Sequence, residues 1–289
     1  GHVVVLSTGG TIASTHDDKG AVVPTVTGSK LVEPLSGTFD KDKLTLEVKD
    51  IAKLDSSAMT LDDTDTIITA VNKELQRDDV DGVVVTHGTD SMEETAIAVD
   101  TFQDSDKPVA LTGAMRPFDD PDPDGPDNLA LAVKTVTDPS NKGRGTFNAF
   151  ADRVIPARGA FKSDTTKADG FANNNGKKQP QRPKALKFKP LGNTRVDIIA
   201  AYPGAPADLI QRSLDSGAEG IVIEGMGAGN IGDELAQAAK AAAKKVPVVL
   251  TTRVDHGPVE GIYGGAGGGA TLADAGVISS GTLRAPQAR

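Results

Sequence analysis

The chain alternates short apolar runs with longer stretches in which apolar residues return every three or four positions. Most of the runs at 3–7, 44–49, 81–86, 108–112, 145–150, 196–201, 219–223 and 246–251 are rich in Val, Ile, Leu and Ala. Near-continuous apolar runs of this length predict strands buried on both faces. Helical spacing fills 60–77, 91–103, 126–137, 205–215 and 232–244 between them. Strands that alternate with helices predict an α/β fold of parallel sheets covered on both sides. In such sheets ligands gather beyond the carboxyl ends of the strands, so the residues directly after each run are the ones to inspect.

One segment breaks the rhythm. Residues 172–195, "ANNNGKKQPQRPKALKFKPLGNTR", are polar, rich in Asn, Lys and Pro, and without periodicity. They predict a partly extended, solvated connection. The chain then divides into a larger N-terminal α/β domain at 1–171, the connection at 172–195, and a smaller C-terminal α/β domain at 196–289. No internal repeat is evident.

Composition narrows the function. The 31 Lys and Arg against 40 Asp and Glu give a net charge of −9, which disfavours nucleic acid or an anionic membrane surface as partner. No apolar run approaches the roughly 18–20 residues of a spanning helix. The absence of cysteine excludes disulfides, thiolate catalysis and thiolate metal sites. His2, His16, His87 and His256 are scattered, without the spacing of a zinc site. The first strand begins almost at residue 2 with no initiator Met, as after removal of a signal peptide, leader or tag.

Chemistry concentrates after the strands. The stretch "VVVLSTGGTIAS" delivers Gly9, Gly10 and Thr11 to the end of the first run. A plain strand-to-helix turn, a backbone cradle for phosphate, and glycines that clear space beside a reactive Thr11 hydroxyl all fit. The third run repeats the theme in "VVVTHGTDSMEETA", with Gly88, Thr89 and Asp90. Thr89 or Asp90 also suits a helix N-cap. A threonine nucleophile needs a base. His87 is adjacent, and Lys162 in "ARGAFKSDTTKADG" is an alternative, because Thr, Lys and Asp can repeat the logic of nucleophile, base and orienter. Ser56 and Ser57 in "LDSSAM" offer paired hydroxyls for a small carboxylate, and Ala114 lies in "LTGAMRP". In the C-terminal part, Gly227, Gly229 and Gly232 follow a strand and open a helix, with Asp255 after the next strand. That arrangement satisfies the dinucleotide fingerprint on paper, although Asn230 occupies the tight loop.

Taken together, "STGGTIAS", "THGTDSMEETA", "LTGAMRP", "FKSDTT", "GMGAGNI" and "SSGTL" resemble the bacterial-type L-asparaginases, in the family's order and over nearly the whole chain. The resemblance implies a larger domain with a flavodoxin-like parallel sheet plus a smaller α/β domain. It implies a homotetramer, a dimer of dimers with sites at subunit interfaces, and hydrolysis of L-asparagine to L-aspartate and ammonia with no cofactor or metal. By the same resemblance Thr11 is the nucleophile, and Thr89, Asp90 and Lys162 form a second catalytic cluster. Ser56, Ser57 and Gly88 bind substrate, Ala114 offers its carbonyl, and Asn230 reaches across from a neighbouring subunit. The nucleotide reading falls away. Glutamine as a second substrate, and a weakly catalytic binding protein, remain as alternatives, and a cytoplasmic location is the expectation, with a secreted or periplasmic one as its alternative. Two features depart from the family pattern. Residues 15–30, the loop after the first motif, hold no tyrosine; the two tyrosines are Tyr202 and Tyr263. The family also continues past "SGTLRAPQAR" into a closing helix.

Overall fold

The computed structural model describes residues 1–176 and 180–289. It forms two compact units, one of Gly1–Asn173 with 180–191, the other of 174–176 with Gly192–Arg289.

The first unit contains β1 (His2–Gly9), a hairpin of β2 (Ser14–His16) and β3 (Val22–Pro24), α1 (Gly28–Val32), β4 (Thr45–Leu54), α2 (Leu61–Leu75), β5 (Gly82–Thr86), α3 (Met92–Phe102), β6 (Val109–Thr112), α4 (Gly125–Thr137), β7 (Thr146–Phe150), β8 (Arg153–Pro156), β9 (Ala160–Lys162) and β10 (Phe171–Asn173). The main sheet runs β4-β1-β5-β6-β7-β8. Its first five strands are parallel, and β8 returns antiparallel along β7. The five parallel strands have the flavodoxin-like order, whose direction of winding reverses between β1 and β5.

Why β1 is apolar at every position from Val3 to Leu6 follows from its place in the sheet. Val4 and Leu6 pack with Val83, Val85 and Leu111 under α2 and α3. Val3 and Val5 pack with Val84 and Ala110 under α1 and α4. A strand covered on both faces has no polar side to show. The helices begin where the sequence supplies caps. Thr60 and Asp63 exchange side-chain bonds with each other's backbone N–H in a capping box that starts α2. Pro126 stands in the first turn of α4, where its missing N–H costs nothing.

The segment expected to be a solvated connection is more ordered than its composition suggests. Phe171–Asn173 is a strand paired with β9, and 180–191 lies against the first unit. There the Leu186 N–H donates to Thr101 O at 2.9 Å, and Arg182 bonds the Asp100 carboxylate at 3.0 Å. Phe188 meets Phe102 edge-on at 5.3 Å. Anchoring side chains and a backbone bond, rather than regular structure, hold it. Lys177, Lys178 and Gln179 of that segment lie outside the described residues.

The second unit holds β11 (Val196–Ala200), α5 (Asp208–Asp215), β12 (Gly220–Gly225), α6 (Asp233–Ala243), β13 (Val248–Thr252), α7 (Gly269–Asp274), β14 (Ile278–Ser279) and α8 (Ala285–Ala288). Its four strands are parallel in the order β11-β12-β13-β14. Ile221, Ile223 and Leu250 meet Ala236, Ala239 and Ala242 of α6, where small side chains let the helix lie close to the sheet.

Candidate active site

Three strand ends meet at the winding reversal of the first unit, and glycine makes the meeting possible. Gly9 and Gly10 have φ of 105° and 82°, the left-handed region that glycine enters without strain. A Cβ on Gly10 would stand 2.5 Å from the Gly88 nitrogen, and one on Gly9 would stand 2.5 Å from the backbone of Leu54. A Cβ on Gly88 would stand 2.4 Å from Ser56 Oγ. The turns after β1, β5 and β4 are therefore in close contact, and the glycine pair serves that approach.

Thr11 opens a single helical turn, Thr11–Ala13. It faces a cavity of about 190 Å³ whose wall also includes Gly10, Leu54, Asp55, Ser56, Gly88, Thr89 and Asp90, with Ser14 and, from the hairpin, Val22 and Pro24. All of these belong to the first unit. The volume is below the roughly 300–1,000 Å³ of drug-sized sites and suits a small metabolite.

Behind one wall lies Lys162, at the end of the short strand β9. Its Nζ donates to Thr89 Oγ1 at 2.9 Å and to Asp90 Oδ1 at 2.8 Å. Asp90 is held from the other side, where its N–H donates to Ser56 Oγ at 3.1 Å. Ser91 Oγ donates to Ser56 O at 2.7 Å. The structure thus brings Thr11, Ser56, Gly88, Thr89 and Asp90 together around one cavity and sets Lys162 against two of them.

Ser57, Ala114 and Asn230 are placed differently. Ser57 is exposed, with its hydroxyl on Asp55 Oδ1 at 2.8 Å. Ala114 is buried, in a turn fixed by Asp124, which accepts the Met115 and Arg116 N–H groups at 3.0 and 2.9 Å. Asn230 belongs to the second unit, where its Oδ1 accepts the Gly269 N–H at 3.3 Å.

Two buried ionisable groups flank the second turn. His87 is fully buried; its Nδ1–H donates to Gly88 O at 2.6 Å and its Nε2 accepts from Thr95 Oγ1 at 2.8 Å. Burial pushes its pKa down to about 4, so it is a neutral brace for the turn rather than a base facing the cavity. Glu93 is 8% exposed, and its Oε1 accepts the Lys162 N–H at 3.0 Å. Burial pushes its carboxyl up to about 7. Sequence reasoning passed over Glu93, because "MEE" at a helix start looks like ordinary dipole complementation. It also passed over Asp55 and Asp124, whose roles lie in backbone turns that no spacing reveals.

Among the described residues no group of three or more His, Asp or Glu is arranged to hold a metal ion, and no helix is long and apolar enough to cross a membrane.

The comparisons with known proteins identify the family. Residues 2–184 match the family model "Asparaginase, N-terminal", and 195–289 match "Glutaminase/Asparaginase C-terminal domain". L-asparaginase 2 of Escherichia coli strain K12 is 34% identical, over 100% of this chain and 86% of that protein. L-asparaginase 2 of Bacillus subtilis strain 168 is also 34% identical, over 89% of this chain and 74% of that protein. The crystal structure of a probable cytoplasmic L-asparaginase from Campylobacter jejuni superposes with a TM-score of 0.83 at 29% identity, covering 100% of this chain and 92% of that one. With both family models matched in order and a flavodoxin-like sheet carrying the threonine turns, the chain belongs to the asparaginase family.

Proposed function

We propose that the protein hydrolyses L-asparagine to L-aspartate and ammonia through an acyl-enzyme on Thr11. The observation that carries this reading is the placement of Thr11 and Thr89 on the wall of one small cavity, with Lys162 bonded to Thr89 and Asp90. The family membership and the relatives named L-asparaginase point the same way.

In the first step Thr11 Oγ adds to the side-chain amide carbon. The C–N bond breaks, the nitrogen leaves as ammonia carrying the Thr11 proton, and an ester remains. In the second step water adds to the ester carbonyl, the acid is released, and Thr11 regains its proton. Asp90, negatively charged and half open to solvent, pairs with the substrate's α-ammonium group. Ser56 and Ser57 serve the α-carboxylate. Thr89, accepting from Lys162, has its own hydroxyl proton to donate toward the developing oxyanion, a contribution worth roughly 10²–10³ in rate. Ala114 offers its carbonyl to the amide. Asn230 completes the site from a neighbouring subunit of a homotetramer.

The hairpin presents Val22 and Pro24 to the cavity, and residues 15–30 hold no tyrosine. We assign activation of Thr11 to the Thr89–Asp90–Lys162 cluster, whose Thr89 and Asp90 share its cavity wall, and to the substrate itself. Glutamine differs by one methylene, which a pocket discriminates by about 10–200-fold. The test is ammonia release from L-asparagine and L-glutamine, side by side, by the wild-type protein and Thr11→Ala. Release by the wild type and none by the variant is expected; equal release by both would remove Thr11 as nucleophile.

A further inference from the structure

Lys162 is held at both ends by one short stretch of chain. Its Nζ reaches Thr89 Oγ1 and Asp90 Oδ1, and its backbone N–H reaches Glu93 Oε1 at 3.0 Å. We infer that Glu93 is the positioning residue for Lys162, its carboxyl oxygen fixing the lysine backbone so that the ammonium lands between Thr89 and Asp90. The inference rests on the hydrolytic role proposed for that cluster.

The local structure explains why such a grip is needed. β9 has three residues and, among the described residues, pairs only with the equally short β10. On the ribbon's inner side the Ser163 N–H donates to Gly170 O at 2.7 Å. The Lys162 N–H faces the other way, where among the described residues no strand continues the sheet and Glu93 receives it. Lysine also carries a long, freely rotating side chain, so an error at its backbone is passed on to Nζ.

Glu93 lies in the first turn of α3, directly after the Thr89–Asp90 turn. One rigid segment therefore sets both the target of the ammonium and the anchor of its backbone. Complementing the helix dipole does not require burial, and Glu94 in the same turn serves it while half exposed. Sinking a carboxyl into the interior is costly without a specific partner. Here the lysine amide is such a partner.

The experiment compares Glu93→Ala, Glu93→Asp and Glu93→Gln with wild type in two readouts, steady-state ammonia release from L-asparagine and acylation of Lys162 by an amine-reactive reagent followed by mass spectrometry. Glu93→Ala is expected to lower kcat 10–100-fold with KM within threefold of wild type. Glu93→Asp, which keeps the carboxyl but withdraws the oxygen by one methylene, is expected to lose at least fivefold. Glu93→Gln, whose amide oxygen still accepts, is expected to stay within threefold. Lys162 acylation should quicken severalfold in the Ala and Asp variants and not in Gln. Wild-type kcat and unchanged labelling in Glu93→Asp would overturn the inference, as would a Gln variant as impaired as Ala. Wild-type protein inert toward asparagine, with the labelling pattern as expected, would overturn the hydrolytic reading while upholding the grip of Glu93 on Lys162.

Discussion

The molecule contains two glycine-rich turns that look alike in sequence and differ in what they leave available. In the first unit Gly9, Gly10 and Gly88 bring three strand ends together, and the backbone N–H groups of Thr11, Gly88 and Thr89 take no partner among the described residues. In the second unit Gly227, Gly229 and Gly232 follow β12 with the spacing of a nucleotide-binding loop. There three successive amides are spent internally. Gly229 and Asn230 donate to Met226 O at 3.1 and 2.8 Å, and Ile231 donates to Gly267 O at 2.9 Å. The space beside Gly229 is also taken, since a Cβ there would stand 2.7 Å from Val259 Cγ1. A phosphate cradle requires open amides, and at the centre of this loop Gly229, Asn230 and Ile231 have already paired theirs. The lesson is that glycine spacing reports close approach, while function depends on whether donors remain unpaired.

The sharpest way to break the comparison is at Thr11. Thr11→Ala is expected to lower turnover at least 10³-fold with an unchanged thermal melt, measured by ammonia release and circular dichroism. Lys162→Met should cost roughly 10²–10³ in kcat; an effect confined to KM would instead make Lys162 a binding group. Gly229→Ala tests the closed loop. Its φ of 113° and its crowded Cβ position predict destabilisation of about 1–3 kcal/mol in chemical denaturation, and titration of the wild type with a nicotinamide dinucleotide should give no saturable heat. Saturable binding would reopen the nucleotide reading.

The smallest expected effect is in pH dependence, where the two buried groups beside the site have opposite signs. The Glu93 carboxyl is raised to about 7 from its ordinary 4.5, so the folded state binds the proton more tightly. Its contribution to stability is complete below pH 4.5 and is lost as pH rises through about 7. His87 is depressed to about 4 from 6.5, so its contribution is complete above pH 6.5 and is lost as pH falls through about 4. Urea melts of Glu93→Gln between pH 4.5 and 7 should lose the downward trend that Glu93 imposes on the wild type. An identical slope in both proteins would remove the raised carboxyl.

The parts of the fold that were legible are those that a single physical rule determines. β1, β5 and β6 are apolar because both faces are covered, and the intervening helices show one apolar stripe each. The ribbons were not legible. β7 turns back into β8 through Ala151 and Asp152, both with positive φ, where a hairpin of this kind ordinarily signals itself with Asn-Gly. β9 and β10 are too short for alternation to register. The site divides in the same way. Thr11 and Thr89 stand out because glycine-threonine turns end two buried runs, whereas Lys162 has no local signature and depends on the ribbon that carries it. Ser56 looked like a pure substrate ligand, yet its oxygen also receives the Asp90 amide, a contact between residues far apart in sequence.

The packed glycine junction also bears on how such a site can diversify. Gly9, Gly10 and Gly88 admit no side chain, so the floor of the cavity is closed to substitution. The hairpin wall is not: Val22 and Pro24 are exposed side chains on a two-stranded ribbon, replaceable without disturbing the sheet. Variation in which amides the enzyme accepts is therefore channelled to that ribbon, and a library restricted to residues 22–25 would explore substrate scope while the threonine turns stay fixed.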